Sequence, residues 1–233
     1  MYFALIPSLA MLQSVHADRV RPPLQRLKRL LFQPGRSFLL SSALLVPGVL
    51  GLSLSAQAAG LIKTLSFQGT TFSSNAALNG GSGSIPPDTM GASGLTQFLE
   101  SSNGSISVYD RSNGALRSRV NLGTFWSAVS PNLSNSGGDQ RVLFDHYTQR
   151  WIVIGFGATR NVINIAVSDG SSALGGWRGT TLPVLTSGST ADYPTLGMDD
   201  RGVYIATNNF NASGSFTGTS LFVLSKAELF DGS

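Results

Sequence analysis

The fold is decided by residues 97–122, which read QFLESSNGSISVYDRSNGALRSRVNL. Three short runs of mixed apolar and polar residues are separated here by Asn103-Gly104 and by the SNG sequence at positions 112–114. An Asn-Gly pair supplies the positive φ angles that a two-residue hairpin turn requires. Short apolar-polar runs bounded by such turn residues are typical of strands. The stretch therefore predicts an antiparallel meander of three strands.

The same arrangement of strands and turns recurs twice downstream. Polar turns separate residues 141–144 from 150–156 and residues 195–198 from 203–208. Bulky residues also recur, and the interval is constant within each series. The series are Phe98, Trp151 and Tyr204; Val108, Ile165 and Phe222; Trp126 and Trp177. A repeat of about 50 residues built from antiparallel strands is typical of propeller blades.

The predicted fold class is therefore all-β, a partial β-propeller of about three antiparallel blades after an N-terminal signal segment. The blades are expected near residues 91–126, 139–177 and 192–233, within a repeat region that starts at residue 86. A sandwich of two sheets is the alternative, although it does not require equal spacing. Outside the leader, only residues 226–230 have the pattern of a helical turn.

The number of blades raises the question of closure. Propellers close with roughly four to eight blades, which leaves no long sheet edge open. Three blades predict either a fragment of a longer protein, which we favour, or a ring completed by another chain. An open-edged or insoluble polypeptide is the expected consequence.

The segment at positions 1–58 has the layout of a secretory signal. Basic residues at positions 26–36 precede the apolar run FLLSSALLVPGVLGLSL at positions 38–54, and Ala56-Gln57-Ala58 forms a small-x-small cleavage motif. Cleavage is predicted between Ala58 and Ala59. A transmembrane anchor is the alternative, but the run is short for a bilayer of roughly 30 Å. The sequence predicts a protein that is secreted, periplasmic or on the cell surface, with membrane contact only through the leader before cleavage.

Two flanking segments complete the predicted organisation. Positions 1–24 fit the signal layout poorly, which predicts either an unusually long n-region or, as we favour, a start site placed too far upstream. Positions 59–85 are rich in Ser, Gly and Asn and are predicted to form a linker or an edge strand.

Composition excludes several functional classes. The chain has no cysteine, so disulfides, thiolate metal sites and a cysteine nucleophile are excluded. The net charge of +4 resides in the leader, because positions 59–233 carry 10 basic and 11 acidic side chains. No nucleic-acid partner is therefore expected.

Aspartates beside turn residues are the candidate metal ligands. Asp139, Asp192, Asp199 and Asp200 are proposed as calcium ligands, because Ca²⁺ prefers oxygen-rich loops. Calcium is the only candidate cofactor. Turn capping is the alternative, since no D-x-[DN]-x-[DN]-G loop is present and aspartate is favoured in turns for local hydrogen bonding alone.

Two tryptophans are the candidate ligand-facing residues. Trp126 and Trp177 lie in loop-like surroundings and are predicted to face an extracellular ligand, with carbohydrate as the candidate. No catalytic residue is predicted, because no G-x-S-x-G motif is present and His146, the only histidine after the leader, lies in a polar turn. Asp145 and Arg150 flank that turn and are expected to form an exposed pair across it.

Several motifs in the repeat region resemble those of a known group. They are PPDTMGA at positions 86–92, RVLFDHYTQRWI at positions 141–152 and ADYP at positions 191–194. They are similar to motifs of secreted bacterial propeller proteins of largely unknown function, which begin with P-P-D-x-x-G-A. The resemblance implies a six- or seven-bladed secreted propeller, sometimes compared with sialidases. This chain departs from the group at Gly138-Asp139-Gln140, where a Gly-Asp-Pro often stands.

These expectations favour an exported, non-catalytic propeller module, or a fragment of one, that binds a ligand outside the cytoplasm. The alternative is the N-terminal part of a sialidase-like glycoside hydrolase. A sialidase needs clustered arginines, an acid–base Asp and a Tyr nucleophile with a Glu beside it. Since Glu228 lies in a terminal turn, such a Tyr–Glu pair would have to use Glu100.

Overall fold

The computed structural model describes residues 63–133, 136–186 and 188–231, and it is mostly β. Its described strands form three antiparallel sheets. The first sheet has the order β1 (Met90–Ser93), β2 (Gln97–Ser102), β3 (Ser105–Asp110), β4 (Leu116–Asn121). The second has the order β5 (Ser136–Asp145), β6 (Arg150–Gly157), β7 (Val162–Ser168), β8 (Trp177–Pro183). The third has the order β11 (Phe216–Ser225), β10 (Gly202–Phe210), β9 (Thr190–Met198).

The Asn-Gly hairpin forms where the sequence predicts it. Ser102 pairs with Ser105, so Asn103-Gly104 is the two-residue loop between β2 and β3, and Gly104 has a φ of 104°. A side chain at this glycine would be strained by its backbone, and its Cβ would lie well inside van der Waals contact with the Asn75 amide. The meander of the first sheet is therefore confirmed.

The second sheet packs between the first and the third, and the first strand of each sheet lies next to the first strand of its neighbour. β5 contacts β1 on one side and β9 on the other. The middle sheet is consequently covered on both faces, and every residue of β6 is buried. A strand buried on both faces has a continuous apolar run instead of an alternating pattern, which explains RWIVIGFG.

Two separate cores result from this arrangement. One core joins the first and second sheets and includes Leu99, Trp151 and Val153. The other joins the second and third sheets and includes Ile152 and Ile205. The fold is thus all-β and resembles part of a propeller, and the described sheets do not close into a ring.

Three short α-helices accompany the sheets in the described part of the chain. The helical turn predicted at positions 226–230 is confirmed as α3 (Lys226–Asp231). The sequence interpretation missed α1 (Phe72–Leu78), inside the expected linker, and α2 (Leu122–Val129). Both begin at a capping residue: Thr71 accepts a hydrogen bond from Ser74 N, and Asn121 accepts one from Thr124 N. Within the described residues, none of the helices has the length and apolar character to cross a bilayer.

The equal spacing of bulky residues overstates the regularity of the repeat. Trp151 packs in the core toward the first sheet, and in the third sheet it is Val203 that packs toward the preceding sheet. Tyr204, which the spacing aligns with Trp151, lies on the opposite face of β10. Trp126 and Trp177 are not equivalent either, because the first lies in α2 and the second begins β8. The predicted leader, with its cleavage site at Ala58 and Ala59, lies outside the described residues.

Candidate functional site

The first strands of the three sheets begin at the same end of the molecule, and each beginning carries an aspartate. Asp88 precedes β1, Asp139 lies in the first half of β5, and Asp192 lies near the start of β9. Each of the three strand starts contains a residue with a positive φ angle: Asp88, Asp139 and Tyr193 have φ between 42° and 56°. Aspartate tolerates this left-handed conformation better than most residues. The three strand starts therefore form one polar cluster.

Arg160, in the loop between β6 and β7, links two of these aspartates. Its Nη2 donates to Asp139 Oδ2 and to Asp192 Oδ1, so one guanidinium pairs with carboxylates from two sheets. Its Nη1 donates to the carbonyl of Gly137 at 3.0 Å, and its Nε donates to that of Ala191 at 3.1 Å. All three guanidinium nitrogens thus help to join the second and third sheets.

Asn103, in the hairpin loop of the first sheet, connects the remaining aspartate. Its Nδ2 donates to Asp88 Oδ2 at 2.7 Å, and its Oδ1 accepts from the main-chain N of Asp139 at 2.8 Å. One amide side chain therefore bridges the first and second sheets. Asp88, Asn103, Asp139, Arg160 and Asp192 form a network across all three sheets, which we call the axial network.

Electrostatics in the axial network favour the ionised form of Asp139. Burial acts to raise the pKa of Asp139, but the hydrogen bond and the charge of Arg160 outweigh it. The pKa of Asp139 consequently lies below its usual value. A carboxylate held in this way is a structural anion rather than a proton donor near neutral pH.

A cleft of about 660 Å³ opens beside the axial network. Its lining is uncharged and consists largely of glycine main chain, amide side chains and a few apolar residues: Asn79, Gly83, Ser84, Ile85, Pro86, Asn103, Gly104, Leu122, Gly123, Gly137 and Gly138. Asn103 belongs to both the cleft and the axial network. The cleft presents hydrogen-bonding groups without net charge, which suits a neutral polar ligand.

The four aspartates predicted to bind calcium lie in two separate places. Asp139 and Asp192 belong to the axial network, whereas Asp199 and Asp200 lie at the opposite end of β9, roughly 23 Å along the strand. Asp199 Oδ1 accepts from the main-chain N of Arg201 and of Gly202, both at 2.8 Å, and these bonds lower its pKa. Asp199 thus caps a turn, and Asp200 is exposed beside it.

Calcium binding stays a prediction, although the four residues do not form one site. Within the part of the chain that the structure describes, no group of three or more His, Asp or Glu side chains is arranged to hold a metal ion. The carboxylates of Asp139, Asp192 and Asp199 already accept hydrogen bonds from the chain itself.

The prediction that Trp126 faces a ligand is wrong. Its side chain is fully buried, because α2 turns it into the core between the first and second sheets. Trp177 is partly buried, packs against the same core and donates its indole N–H to the carbonyl of Ala173. Phe125 lies between the two indoles, with its ring centroid 5.1 Å from Trp126 and 5.3 Å from Trp177. The tryptophans therefore form an aromatic cluster of the core.

A Tyr–Glu pair is present in the first sheet, on the face that points away from the second sheet. Tyr109 donates to Glu100 Oε2 at 2.7 Å, and Arg119 Nη2 donates to the Tyr109 hydroxyl at 2.6 Å. Thr70 covers the carboxylate through its main-chain N and its hydroxyl, and Phe67 packs on the Tyr109 ring at 5.1 Å. Both members of the pair are buried beneath the segment that precedes α1.

Asp145 and Arg150 do not form the exposed pair that the sequence predicts. Both are buried, and Asp145 instead pairs with Lys226 of α3 at 2.7 Å. Arg150 donates to the carbonyls of Ser168 and Phe230. The reason is that α3 packs over this turn and supplies partners that a single hairpin lacks. His146 lies in the turn and is exposed, as predicted.

Sequence reasoning missed Arg160 and Asn103, the two side chains that hold the axial network together. Arg160 has a φ of 55° in a short loop, and no local pattern marks it. Asn103 was identified only as a turn residue, since its partners Asp88 and Asp139 are distant in the sequence. No family model matches this chain, and no curated protein matches it.

Proposed function

We propose that this chain is an exported, non-catalytic, propeller-like module, or a fragment of one, that binds a ligand outside the cytoplasm. The observation that carries the proposal is the uncharged cleft beside the axial network. Loops from a rigid scaffold that converge on one concave surface are a common setting for ligand binding.

The proposed ligand is a neutral, hydroxyl-rich molecule such as a glycan. The cleft offers main-chain groups and the remaining acceptor capacity of the amide oxygens of Asn79 and Asn103, whose N–H groups donate within the chain. It also offers the apolar side chains of Ile85 and Leu122. Sugars present both hydroxyls and apolar ring faces, and they carry no charge for an uncharged lining to oppose. The axial network supports the same role by fixing the loop that carries Asn103.

A glycan array with one blocking variant tests the proposal. Ser84→Trp places a bulky side chain in the cleft, and Leu95→Trp places the same side chain in an exposed turn at the other end of the first sheet. We expect the wild type and Leu95→Trp to bind the same glycans and Ser84→Trp to lose them. Absence of glycan binding by the wild type, or equal binding by Ser84→Trp, contradicts the proposal.

A sialidase-like glycoside hydrolase is the second candidate, and the Tyr109–Glu100 pair with Arg119 is the observation that favours it. The cover formed by Thr70 and Phe67 argues against it, because the pair has no access to a substrate.

The two candidates are distinguished by turnover of a fluorogenic sialoside. The enzyme predicts hydrolysis that Tyr109→Phe abolishes and Tyr147→Phe, at an exposed tyrosine, leaves intact. The binding module predicts no hydrolysis by any of the three proteins.

A further inference from the structure

Tyr193, in the ADYP stretch at positions 191–194, has a backbone conformation that its own residue type and its neighbour disfavour. Its φ angle is 50°, in the left-handed region, where a bulky aromatic residue is an outlier. Tyr193 also precedes Pro194, and a residue before proline is normally pushed toward an extended conformation. Residues held against such preferences are concentrated at functional sites. The conformation of Tyr193 therefore indicates a role for its side chain.

A β-bulge in β9 accompanies this conformation and directs the side chain. The register between β9 and β10 shifts here, so that Tyr193 and Pro194 together lie opposite a single residue of β10, Thr207. Bulges of this kind re-aim a side chain and are frequent next to functional sites. Pro194 suits the bulge because it has no N–H group to contribute to the ladder. Tyr193 remains 63% exposed, although it lies in a strand.

A buried cation supports the Tyr193 ring from the side of the second sheet. The guanidinium carbon of Arg141, in β5, lies 5.1 Å from the centroid of the ring. Arg141 is itself buried, and its Nη1 donates to the carbonyl of Gln140 at 3.0 Å. One face of the ring is thus held against a fixed partner, and the exposed part is a flat, largely apolar surface. A surface that is already oriented loses little conformational entropy when a flat ligand stacks on it.

Tyr193 lies beyond one edge of the uncharged cleft. Gly137 lines the cleft, and its carbonyl accepts from Arg160 Nη1, while Arg160 Nη2 donates to Asp192, the residue before Tyr193. One guanidinium therefore separates the cleft from the residues that carry the ring. About half of the Asp192 side chain is exposed, so its carboxylate can accept from a hydroxyl beside the ring. An apolar surface next to an acceptor matches a sugar, which has an apolar ring face and hydroxyl groups.

We propose that Tyr193 and Asp192 form a second sugar subsite that extends the cleft, so that the ligand is an oligosaccharide. The inference rests on the glycan-binding function proposed above and specifies its ligand. One sugar occupies the cleft, and another sugar of the same chain stacks its apolar face on Tyr193 and donates a hydroxyl to Asp192. The bulge and the disfavoured φ angle place the ring where this second sugar passes.

An array of neutral mono- to hexasaccharides tests the inference on the full-length chain. We expect the wild type to bind oligosaccharides more tightly than monosaccharides of the same series. Tyr193→Asn should weaken oligosaccharide binding about ten-fold, because an aromatic contact is lost, whereas Tyr193→Trp should retain it. The matched control is Tyr147→Asn, which replaces a 73% exposed tyrosine that also lies against a buried cation, Lys226. Tyr147 lies in the turn at the other end of β5, so this variant should bind like the wild type.

Thermal melting separates a binding role of Tyr193 from a structural one. Asparagine tolerates the left-handed region better than tyrosine does, so Tyr193→Asn should keep the melting temperature within about 4 °C of the wild-type value. A much larger fall would mean that packing retains the tyrosine, and it would overturn the inference.

The array also distinguishes failure of this inference from failure of the proposed function. Oligosaccharide binding that Ser84→Trp abolishes and Tyr193→Asn leaves unchanged would overturn the second subsite alone. Equal affinity of the wild type for monosaccharides and oligosaccharides would do the same. Absence of binding to every glycan by the wild type would overturn both proposals.

Discussion

Replacement of Lys226 by methionine tests whether α3 fastens the third sheet to the second. Lys226 Nζ lies 2.7 Å from Asp145 Oδ2 and donates to the carbonyl of Asp199 at 2.8 Å. Only 4% of the lysine side chain and 1% of the aspartate side chain are exposed. Lys226→Met leaves a buried carboxylate without its cation, which costs about 3–5 kcal/mol of unfolding free energy. For a chain of this size the melting temperature should fall by about 10 °C.

Urea unfolding of the full-length chain at pH 7 measures this cost. The matched control is Arg201→Met, because Arg201 pairs with Asp200 at 3.9 Å while 90% of its side chain is exposed. The control should change the unfolding free energy by no more than about 0.5 kcal/mol. The double variant Asp145→Asn/Lys226→Met removes both charges and should recover part of the loss, since the buried carboxylate is then absent.

The cost should also depend on pH in a defined direction. Burial acts to raise the pKa of Asp145, but hydrogen bonds from Lys226, Thr148 and Tyr147 outweigh it and lower the pKa. A lowered folded-state pKa contributes stability that is present above the unfolded pKa of about 3.9 and is lost as the pH falls through the folded value. The difference between wild type and Lys226→Met should therefore shrink below about pH 4. A difference under about 1 kcal/mol at pH 7, or one that grows on acidification, would refute the reasoning.

Three further predictions concern the axial network and the turns. Arg160→Met should lower the unfolding free energy by about 2–3 kcal/mol, measured in urea, because buried Asp139 loses its partly buried cation while half-exposed Asp192 loses little. Gly104→Ala should lower the melting temperature more than Gly214→Ala does. Both glycines have positive φ, but only at Gly104 would the added Cβ overlap another side chain, that of Asn75. Calcium chloride tests the calcium prediction: binding at Asp139 and Asp192 should raise the melting temperature by several degrees, and Asp192→Asn should abolish the rise. An unchanged melting temperature would contradict that prediction and favour turn and network roles for these aspartates, which already accept hydrogen bonds within the chain.

The sequence was a good guide wherever local chemistry decides structure. Asn103-Gly104 predicted its hairpin because positive φ is a property of the turn residues themselves. The polar turn between residues 144 and 150 likewise predicted the hairpin of β5 and β6, which pair antiparallel across it. The capping residues Thr71 and Asn121 are sequence signals for the starts of α1 and α2. Both helices, however, are too short for an apolar period of 3.6 residues to be detected.

The candidate site was predicted less well because it depends on contacts between sheets. Arg160 joins the carboxylates of Asp139 and Asp192, which belong to different sheets, and no spacing in the sequence encodes that meeting. Trp126 was misplaced for a similar reason, since its surroundings are turn-like in sequence while its contacts lie in another sheet. Equal spacing also misled at Tyr204, because a shift of one residue moves a strand side chain to the opposite face.

The central claim is that the second sheet packs between the first and the third, with one core on each of its faces. Methyl-to-methyl NOEs test this claim most directly. Val153 and Ile152 are consecutive residues of β6, yet they belong to different cores. The account predicts NOEs from Val153 to methyl groups of the first sheet, such as Leu99, and from Ile152 to those of the third, such as Ile205. Direct packing of the first sheet against the third would instead give NOEs between Leu99 and Ile205, and such NOEs would contradict the account.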